Sequence, residues 1–261
     1  MATLCSLFSG SSGNCVYLEQ GGTAILIDAG MSAKSITSAL QERGLAMEKV
    51  GAVFITHTHC DHIKGVHTLL NKYKMPLFAT GPTLSAMATG GLFPTGFEPT
   101  VIEGRVTCGD FEIVATPTPH DAEGSCCYRI TLKNGESVAV CTDLGYVTDA
   151  VKETLLGCRA VLLESNHDVT MLQKGPYPPQ LKRRISGKFG HLSNTASASQ
   201  LPDLVAAGTT QVVLAHLSEM NNTPEIARRA AEASLLAAGM KAEEDCRLSV
   251  AAPEGNGLIV F

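Results

Sequence analysis

Apolar residues in this chain fall into short runs, and the residues that punctuate the runs separate strand from helix. Residues 16–30, "VYLEQGGTAILIDAG", are apolar on either side of Gly21-Gly22, the pattern of a hairpin with a two-residue turn. "GAVFIT" (51–56) has the length and β-branched content of a buried strand, whereas "HIKGVHTLLNKY" (62–73) spaces its apolar residues as a helix does. Residues 101–120, "VIEGRVTCGDFEIVATPTPH", read as a meander, and "CCYRITLKNGESVAVCTDLG" (126–145) as a hairpin turning at Asn134-Gly135. Strand and helix then alternate. "AVLLES" and "TQVVLAH" are strands; "TASASQLPDLVAA" and "TPEIARRAAEASLLAAG" are helices, the last with Thr223 as N-cap, Pro224 in the first turn and Gly239 as terminator. Mixed sheets flanked by helices predict a layered α/β sandwich, and no repeat or linker interrupts it, so one domain over 1–261 is expected.

Composition narrows the setting. The chain has 261 residues, 44% of them hydrophobic, which is ample for one large core. It contains no 18-residue apolar run, and "MATLCSLFSGSSGN" lacks the basic start and long apolar stretch of a signal peptide, so no membrane partner and a cytoplasmic location are expected. The nine cysteines form no CxxC pair and are odd in number, which suits buried thiols better than a disulfide framework. A net charge of −5 gives no global footprint for nucleic acid. A polyanion would have to meet a local basic patch, metals or backbone amides.

The chemistry concentrates in "ITHTHCDHIKG" (55–65), where His57, His59, Asp61 and His62 fall within six positions. His57 and His59 follow a strand two apart, so extended backbone turns both imidazoles to one side. Asp61 and His62 open the next helix and turn another way. Two ligand pairs with different directions fit two adjacent metals better than one. Three further polar residues end apolar strands: His120 after "IVATPTP", Asp143 after "SVAVCT" and His216 after "QVVLA". Singly, each reads as a hydrogen-bonded histidine or a turn aspartate; their shared placement points to ligation. His67 is rotated by roughly 140° from His62 on a continuous helix and does not join. Cys60 reads as a spacer.

HxHxDH followed by His, Asp and His at strand ends resembles the metallo-β-lactamase superfamily, whose fold is a four-layer αββα sandwich. The resemblance runs from "LIDAG" to "LAHLS". It implies that His57, His59 and His120 hold one divalent ion, that Asp61, His62 and His216 hold the other, and that Asp143 bridges both. A bridged water or hydroxide is then the expected nucleophile. Asp28, in "ILIDAG", is expected to orient a ligand by hydrogen bonding. Mixed His/Asp ligation suits Zn and is compatible with Mn or Fe.

Fold and metals alone do not choose a substrate. His59 stands where the oxygen-reducing flavodiiron branch resembles HxExDH, which favours hydrolysis. His62 departs from many dizinc β-lactamases. "GKFGHLSNTAS" adds His191, which resembles the histidine that the RNase Z endonucleases pair with a strand-end glutamate, here Glu164 in "VLLESNHD". Catalysis is thereby centred on Asp61, His191 and Glu164, with His191 a general acid for the departing alkoxide. A helix N-terminus should lower the His191 pKa and Glu164 should raise it. A packing role for both residues is the plainer alternative.

"SGSSGN", "LIDAG", "HTHCDHIKG", "PHDAEG", "ESNHD", "GHLSN" and "AHLSEMNNTPE" together resemble the YycJ/WalJ-like branch, related to RNase Z and RNase J. That resemblance implies a nuclease acting on nucleic acid, DNA in preference to RNA, as a 5′-to-3′ exonuclease. A thioester hydrolase of the hydroxyacyl-glutathione kind shares the seven-ligand pattern. Lys182, Arg183, Arg184 and Lys188 are candidates for flanking phosphates, although a solvated basic helix face explains them equally well. Ser12 and Asn14 of "SGSSGN" are candidates for an anion nest, a Gly-Ser turn being the alternative. His167 and Asp168 either line the cleft or cap the following helix. Apart from Tyr177 and Phe189, no aromatic accompanies the basic cluster, so a single-strand platform is not evident.

Overall fold

The computed structural model describes residues 1–261. Its strands are β1 (Ala2–Phe8), β2 (Cys15–Gln20), β3 (Thr23–Ile27), β4 (Val50–Phe54), β5 (Leu77–Ala79), β6 (Thr100–Val101) and β7 (Arg105–Cys108). They continue as β8 (Phe111–Pro117), β9 (Cys126–Thr131), β10 (Ser137–Cys141), β11 (Ala160–Glu164), β12 (Gln211–Ala215), β13 (Arg247–Val250) and β14 (Ile259–Val260). The helices are α1 (Ala33–Glu42), α2 (Cys60–Ile63), α3 (Val66–Tyr73), α4 (Gly81–Thr89), α5 (Asp149–Leu155), α6 (Val169–Lys174), α7 (Pro179–Ile185), α8 (Asn194–Ala198), α9 (Leu201–Ala206) and α10 (Pro224–Ala237).

Two seven-stranded sheets result, ordered β14-β1-β2-β3-β4-β5-β6 and β13-β12-β11-β10-β9-β8-β7. Each is antiparallel on one side and parallel on the other: β3 to β6 and β10 to β13 run parallel. The central strands bury both faces, so alternation sorts their side chains into layers rather than into core and solvent. In β3, Ile25 and Ile27 fill the space between the sheets, while Ala24 and Leu26 face α1 and α3. In β12, Val213 and Ala215 face the other sheet, and Val212 and Leu214 face α9 and α10. Helices on both outer faces complete a four-layer αββα sandwich. All nine cysteines are unpaired, and all but Cys60 and Cys108 are buried. No helix is long and apolar enough to cross a membrane.

Three segments differ from the sequence reading. Residues 62–73 form α2 and α3, because the Gly65 N–H donates to Ala29 O at 2.8 Å and pulls the chain out of one continuous helix. His67 is exposed on α3, away from the cluster. Residues 101–120 are not one meander: Thr100–Val101 pairs with β5 in the first sheet, and only β7 and β8 form a hairpin in the second. Residues 195–207 break into α8 and α9 at Ser199-Gln200. The Gly21-Gly22 and Asn134-Gly135 turns join β2 to β3 and β9 to β10, and Thr223 caps α10 by accepting from Ile226 N at 3.3 Å.

Candidate metal centre

The ends of six strands meet at one rim of the sandwich. Asp28 follows β3, His57 and His59 follow β4, His120 follows β8, Asp143 follows β10, Glu164 closes β11 and His216 follows β12. Ligand-bearing side chains at the carboxyl ends of parallel strands are common in α/β folds because the loops there are free to turn inward. Here the turn is sharp. Asp28, Asp143 and His216 all adopt left-handed backbone, at φ 62°, 61° and 55°. Such conformations cost a non-glycine residue on the order of 1–3 kcal/mol and persist where surrounding structure holds them.

Backbone pairing assembles the HxHxDH loop. Asn14 N donates to Asp61 O, Ala29 N to His62 O and Gly30 N to Asn14 O, each at 2.8 Å. Gly30 lies so close that a Cβ there would overlap Asp61 O. The "DAG" turn after β3 and the "CDH" turn after β4 are thus zipped together without side chains between them.

Hydrogen bonds on the far nitrogens decide which nitrogen each imidazole presents. His62 Nδ1 donates to Asp28 Oδ2 at 2.7 Å. Asp28 also accepts from Thr56 N and Thr56 Oγ1, both at 2.8 Å. His57 Nδ1 donates to Thr56 Oγ1 at 3.0 Å, His120 Nδ1 to Gly190 O at 3.1 Å and His216 Nδ1 to Glu164 Oε1 at 2.8 Å. These four therefore turn Nε2 inward. His59 is reversed: its Nε2 faces Asp121 Oδ1 at 3.5 Å, leaving Nδ1 inward, 3.2 Å from His120 Nε2. Such partners on the outer nitrogen are characteristic of metal-ligating histidines.

The inward atoms form tight sets. Donor atoms of His57, His59 and His120, of Asp61, His62 and His216, of His57, His62 and Asp143, and of Asp143, Glu164, His191 and His216 lie within 4.8 Å of one another in each set. Asp143 stands between the halves, with Oδ1 3.8 Å from His120 Nε2 and Oδ2 3.3 Å from His62 Nε2. His57 Nε2, Asp143 Oδ2 and His216 Nε2 are buried and make no hydrogen bond. Unpartnered donor atoms of both residue types converging at such distances favour a cation between them, and a His/Asp donor set suits divalent metals. Charge tells the same story. Burial and the neighbouring His62 hold His57 well below its ordinary pKa, so it is a neutral donor. Burial also opposes charging of His216, yet Asp143, Asp61 and Glu164 push it up to about 10. The carboxylates make this a pocket that favours positive charge. These His/Asp clusters are of the kind that forms a dinuclear metal site.

Beside the clusters lies a cavity of about 370 Å³ lined by His59, Asp61, Asp143, His191, His216 and Arg184, among others. His191 Nδ1 donates to Glu164 Oε1 at 2.8 Å, and the ring borders the cavity. Glu164 is fully buried; its Oε2 accepts from Leu144 N at 3.1 Å and Leu192 N at 3.0 Å. Burial works to raise its pKa, but the charge of His191 and hydrogen bonds from His191 and His216 hold it down to about 2. For His191, burial rather than a helix N-terminus opposes charging, and Glu164 overcomes it so that the pKa is raised.

Several sequence-derived candidates lie elsewhere. Ser12 faces a different groove, with Met31 and Arg43, and it is Ser11 that lines the cavity. Asn14 is buried among the candidate ligands, its Nδ2 3.2 Å from Asp61 Oδ2 and 3.0 Å from His62 Nε2, so it braces them rather than meeting a substrate. His167 is buried outside the cavity, which its neighbour Asn166 lines instead, and Asp168 caps α6 by accepting from Met171 N at 2.8 Å. Of the basic cluster only Arg184 reaches the cavity. Leu181, Arg184 and Ile185 share that face of α7, while Lys182 Nζ donates to Gln173 O at 2.8 Å, Arg183 is exposed and Lys188 borders a separate recess. Cys60 is exposed at the cavity wall. Asp121 was not anticipated, although it directly follows His120. Its Oδ1 lies 3.5 Å from both His59 Nε2 and His120 Nε2, and its Oδ2 accepts from Arg184 Nε at 2.5 Å.

Residues 23–217 match the family model described as β-lactamase superfamily domain. The chain is 38% identical over 224 residues to the exodeoxyribonuclease YycJ of Bacillus anthracis, covering 85% of this chain and 84% of that protein. It is 39% identical over 225 residues to the exodeoxyribonuclease WalJ of Streptococcus pneumoniae, covering 85% and 83%. Among solved structures, the metallo-β-lactamase fold protein YhfI of Bacillus subtilis superposes with a TM-score of 0.72 at 16% identity, over 99% of this chain and 98% of that one.

Proposed function

The chain belongs to the metallo-β-lactamase superfamily and is a metal-dependent, nuclease-like hydrolase, and on that premise we propose that it is a 5′-to-3′ exonuclease of DNA. The observation that carries this reading is the Glu164–His191 pair beside the candidate metal centre. Hydrolysis of a phosphodiester expels a poor leaving group, an alkoxide, and gains from an acid aimed at it. Glu164 keeps Nδ1 of His191 protonated and fixes the ring at the cavity wall, 3.5 Å from Asp143 Oδ1. The proton from Nε2 of the imidazolium passes to the departing oxygen. A thioester has a good leaving group and needs no such acid, which weighs against a hydroxyacyl-glutathione hydrolase.

In this reading His57, His59 and His120 would hold one divalent ion and Asp61, His62 and His216 the second, with Asp143 placed to serve both. When bound, the ions supply a water activated for attack near neutral pH and offset charge on the phosphate. Zn or Mn suits the donors, with Fe compatible. Asp28, Thr56, Asp121 and Glu164 orient the imidazoles through their outer nitrogens. Arg184, tethered by Asp121 at the cavity wall, meets a phosphate next to the scissile one. The names of the two exodeoxyribonuclease relatives support DNA over RNA as substrate. A cytoplasmic location belongs to the same proposal.

The test loads the protein separately with Mn²⁺ and Zn²⁺ and adds 5′- and 3′-labelled DNA and RNA oligonucleotides, with Asp61→Ala alongside. Release of mononucleotides from the 5′ end of DNA by the intact protein alone is the expected result. Turnover of thioesters with every oligonucleotide left whole would overturn the proposal.

A further inference from the structure

The sequence suggested no platform for a single strand, because Tyr177 and Phe189 are the only aromatics near the basic cluster. The fold changes that. Of eight Phe and five Tyr in the chain, only Tyr146 at 48% and Phe189 at 61% are exposed. They are 43 residues apart in sequence but come from backbone segments in direct contact. Gly145 N donates to Pro119 O at 2.9 Å, and a Cβ on Gly145 would strike the backbone of Gly187 and Lys188.

The first segment leads away from the metal-side cavity, and the second is a loop that leaves it at Ile185 and rejoins it at His191, where His191 N donates to Ile185 O at 2.8 Å. At their inner ends Asp143, Ile185 and His191 line the metal-side cavity. At their outer ends Gly145, Tyr146, Ser186, Gly187 and Lys188 line a second recess of about 360 Å³, with Phe189 next in the chain. A recess lined by an exposed tyrosine and a lysine, with a second exposed ring next in the chain and on segments that also supply the metal-side cavity, has the chemistry of a nucleotide subsite. A base has two apolar faces and its phosphate one charge, which the rings and the ammonium match.

We propose that the recess lined by Tyr146 and Lys188 seats a nucleotide flanking the scissile phosphodiester, with its base stacked on Tyr146 and the neighbouring Phe189 and its phosphate against Lys188. The inference rests on the nuclease reading and adds to it a strand requirement. A base stacked on a side chain cannot remain paired in a duplex, so the strand enters unpaired, either as a single strand or at a frayed end.

The experiment is steady-state cleavage of a 3′-labelled single-stranded oligodeoxynucleotide by the Mn²⁺-loaded protein and its variants Tyr146→Ala, Phe189→Ala and Tyr146→Phe. Both side chains are exposed, so the variants fold. KM is expected to rise about tenfold for each alanine, more than kcat falls, and to stay near wild type for Tyr146→Phe. Unchanged KM in both alanine variants, in a protein that does cleave DNA, overturns the subsite and leaves the nuclease intact. Cleavage of bis(p-nitrophenyl) phosphate by the wild-type protein, with every nucleic acid untouched, overturns the nuclease reading and this inference with it. A change in oligomeric state on light scattering, in place of a change in KM, makes the recess a protein interface and also overturns the proposal.

Discussion

Glu164 and His191 meet at 2.8 Å, Oε1 to Nδ1, and the same oxygen lies 2.8 Å from Nδ1 of His216. One carboxylate oxygen thus orients both a candidate ligand and the proposed acid. The other oxygen accepts two backbone N–H groups, so the carboxylate has no freedom to rotate away.

Glu164→Gln tests this arrangement. An amide has one accepting oxygen and one donating nitrogen, so it cannot accept on both sides. Whichever way it turns, it opposes either the imidazoles or the backbone pair. Divalent-ion affinity is expected to fall about 10- to 100-fold, read by competition with a chromogenic chelator. Wild-type affinity would mean that Glu164 does not set the His216 tautomer.

The pH dependence follows from the same pair. Burial resists charging of His191, but Glu164 raises its pKa above the ordinary value. A raised group keeps its proton to higher pH, so activity that needs imidazolium is present at low pH and is lost as pH rises through the folded-state pKa. In Glu164→Gln, at saturating Mn²⁺, the alkaline limb of kcat/KM should move to lower pH than in the wild type. A limb that stays in place would remove His191 from the acid role.

Gly30→Ala probes the zipped turns. The new Cβ would overlap Asp61 O and crowd Asn14 N, so the ligand loop must shift. A loss of about 1–3 kcal/mol in urea denaturation is expected, with weaker metal binding. Wild-type stability would show that the two turns separate more easily than their contact suggests.

Arg184→Ala removes the one cation of the basic cluster that reaches the cavity. The log–log dependence of KM on salt should flatten by about one for a nucleic acid substrate. Lys182→Ala, whose Nζ is already bound to Gln173 O, should change the slope less.

Chelation should lower thermal stability. An ion present at a hundred times its Kd stabilises the folded chain by about 2.7 kcal/mol, which corresponds to roughly 5–10 °C in Tm for a chain of this size. EDTA-treated protein compared with Mn²⁺-loaded protein in a calorimetric scan measures the difference, and equal Tm values would argue against ions in this pocket.

Residue type and strand-end placement were legible in the chain. His57, His59, Asp61 and His62 sit within six positions, and a polar residue after an apolar strand marks where a loop begins. Which face a neighbouring residue takes was less legible. Ser12 and His167 were candidates for the cleft, whereas their chain neighbours Ser11 and Asn166 line the cavity. Four basic residues looked alike until the turn of α7 put Arg184 on the cavity face and Lys182 off it.

The layered fold and the His/Asp composition of the centre were readable in the chain, because they follow from local periodicity, the short spacing at 57–62 and polar residues at strand ends. Which atoms meet depends on contacts between distant segments. The sharing of Glu164 between two histidines and the contact of Gly145 with Lys188 join segments far apart in sequence, and the left-handed turns at Asp28, Asp143 and His216 sit where such segments meet. Those relations depend on how two sheets pack and stagger, a long-range property that no local spacing encodes.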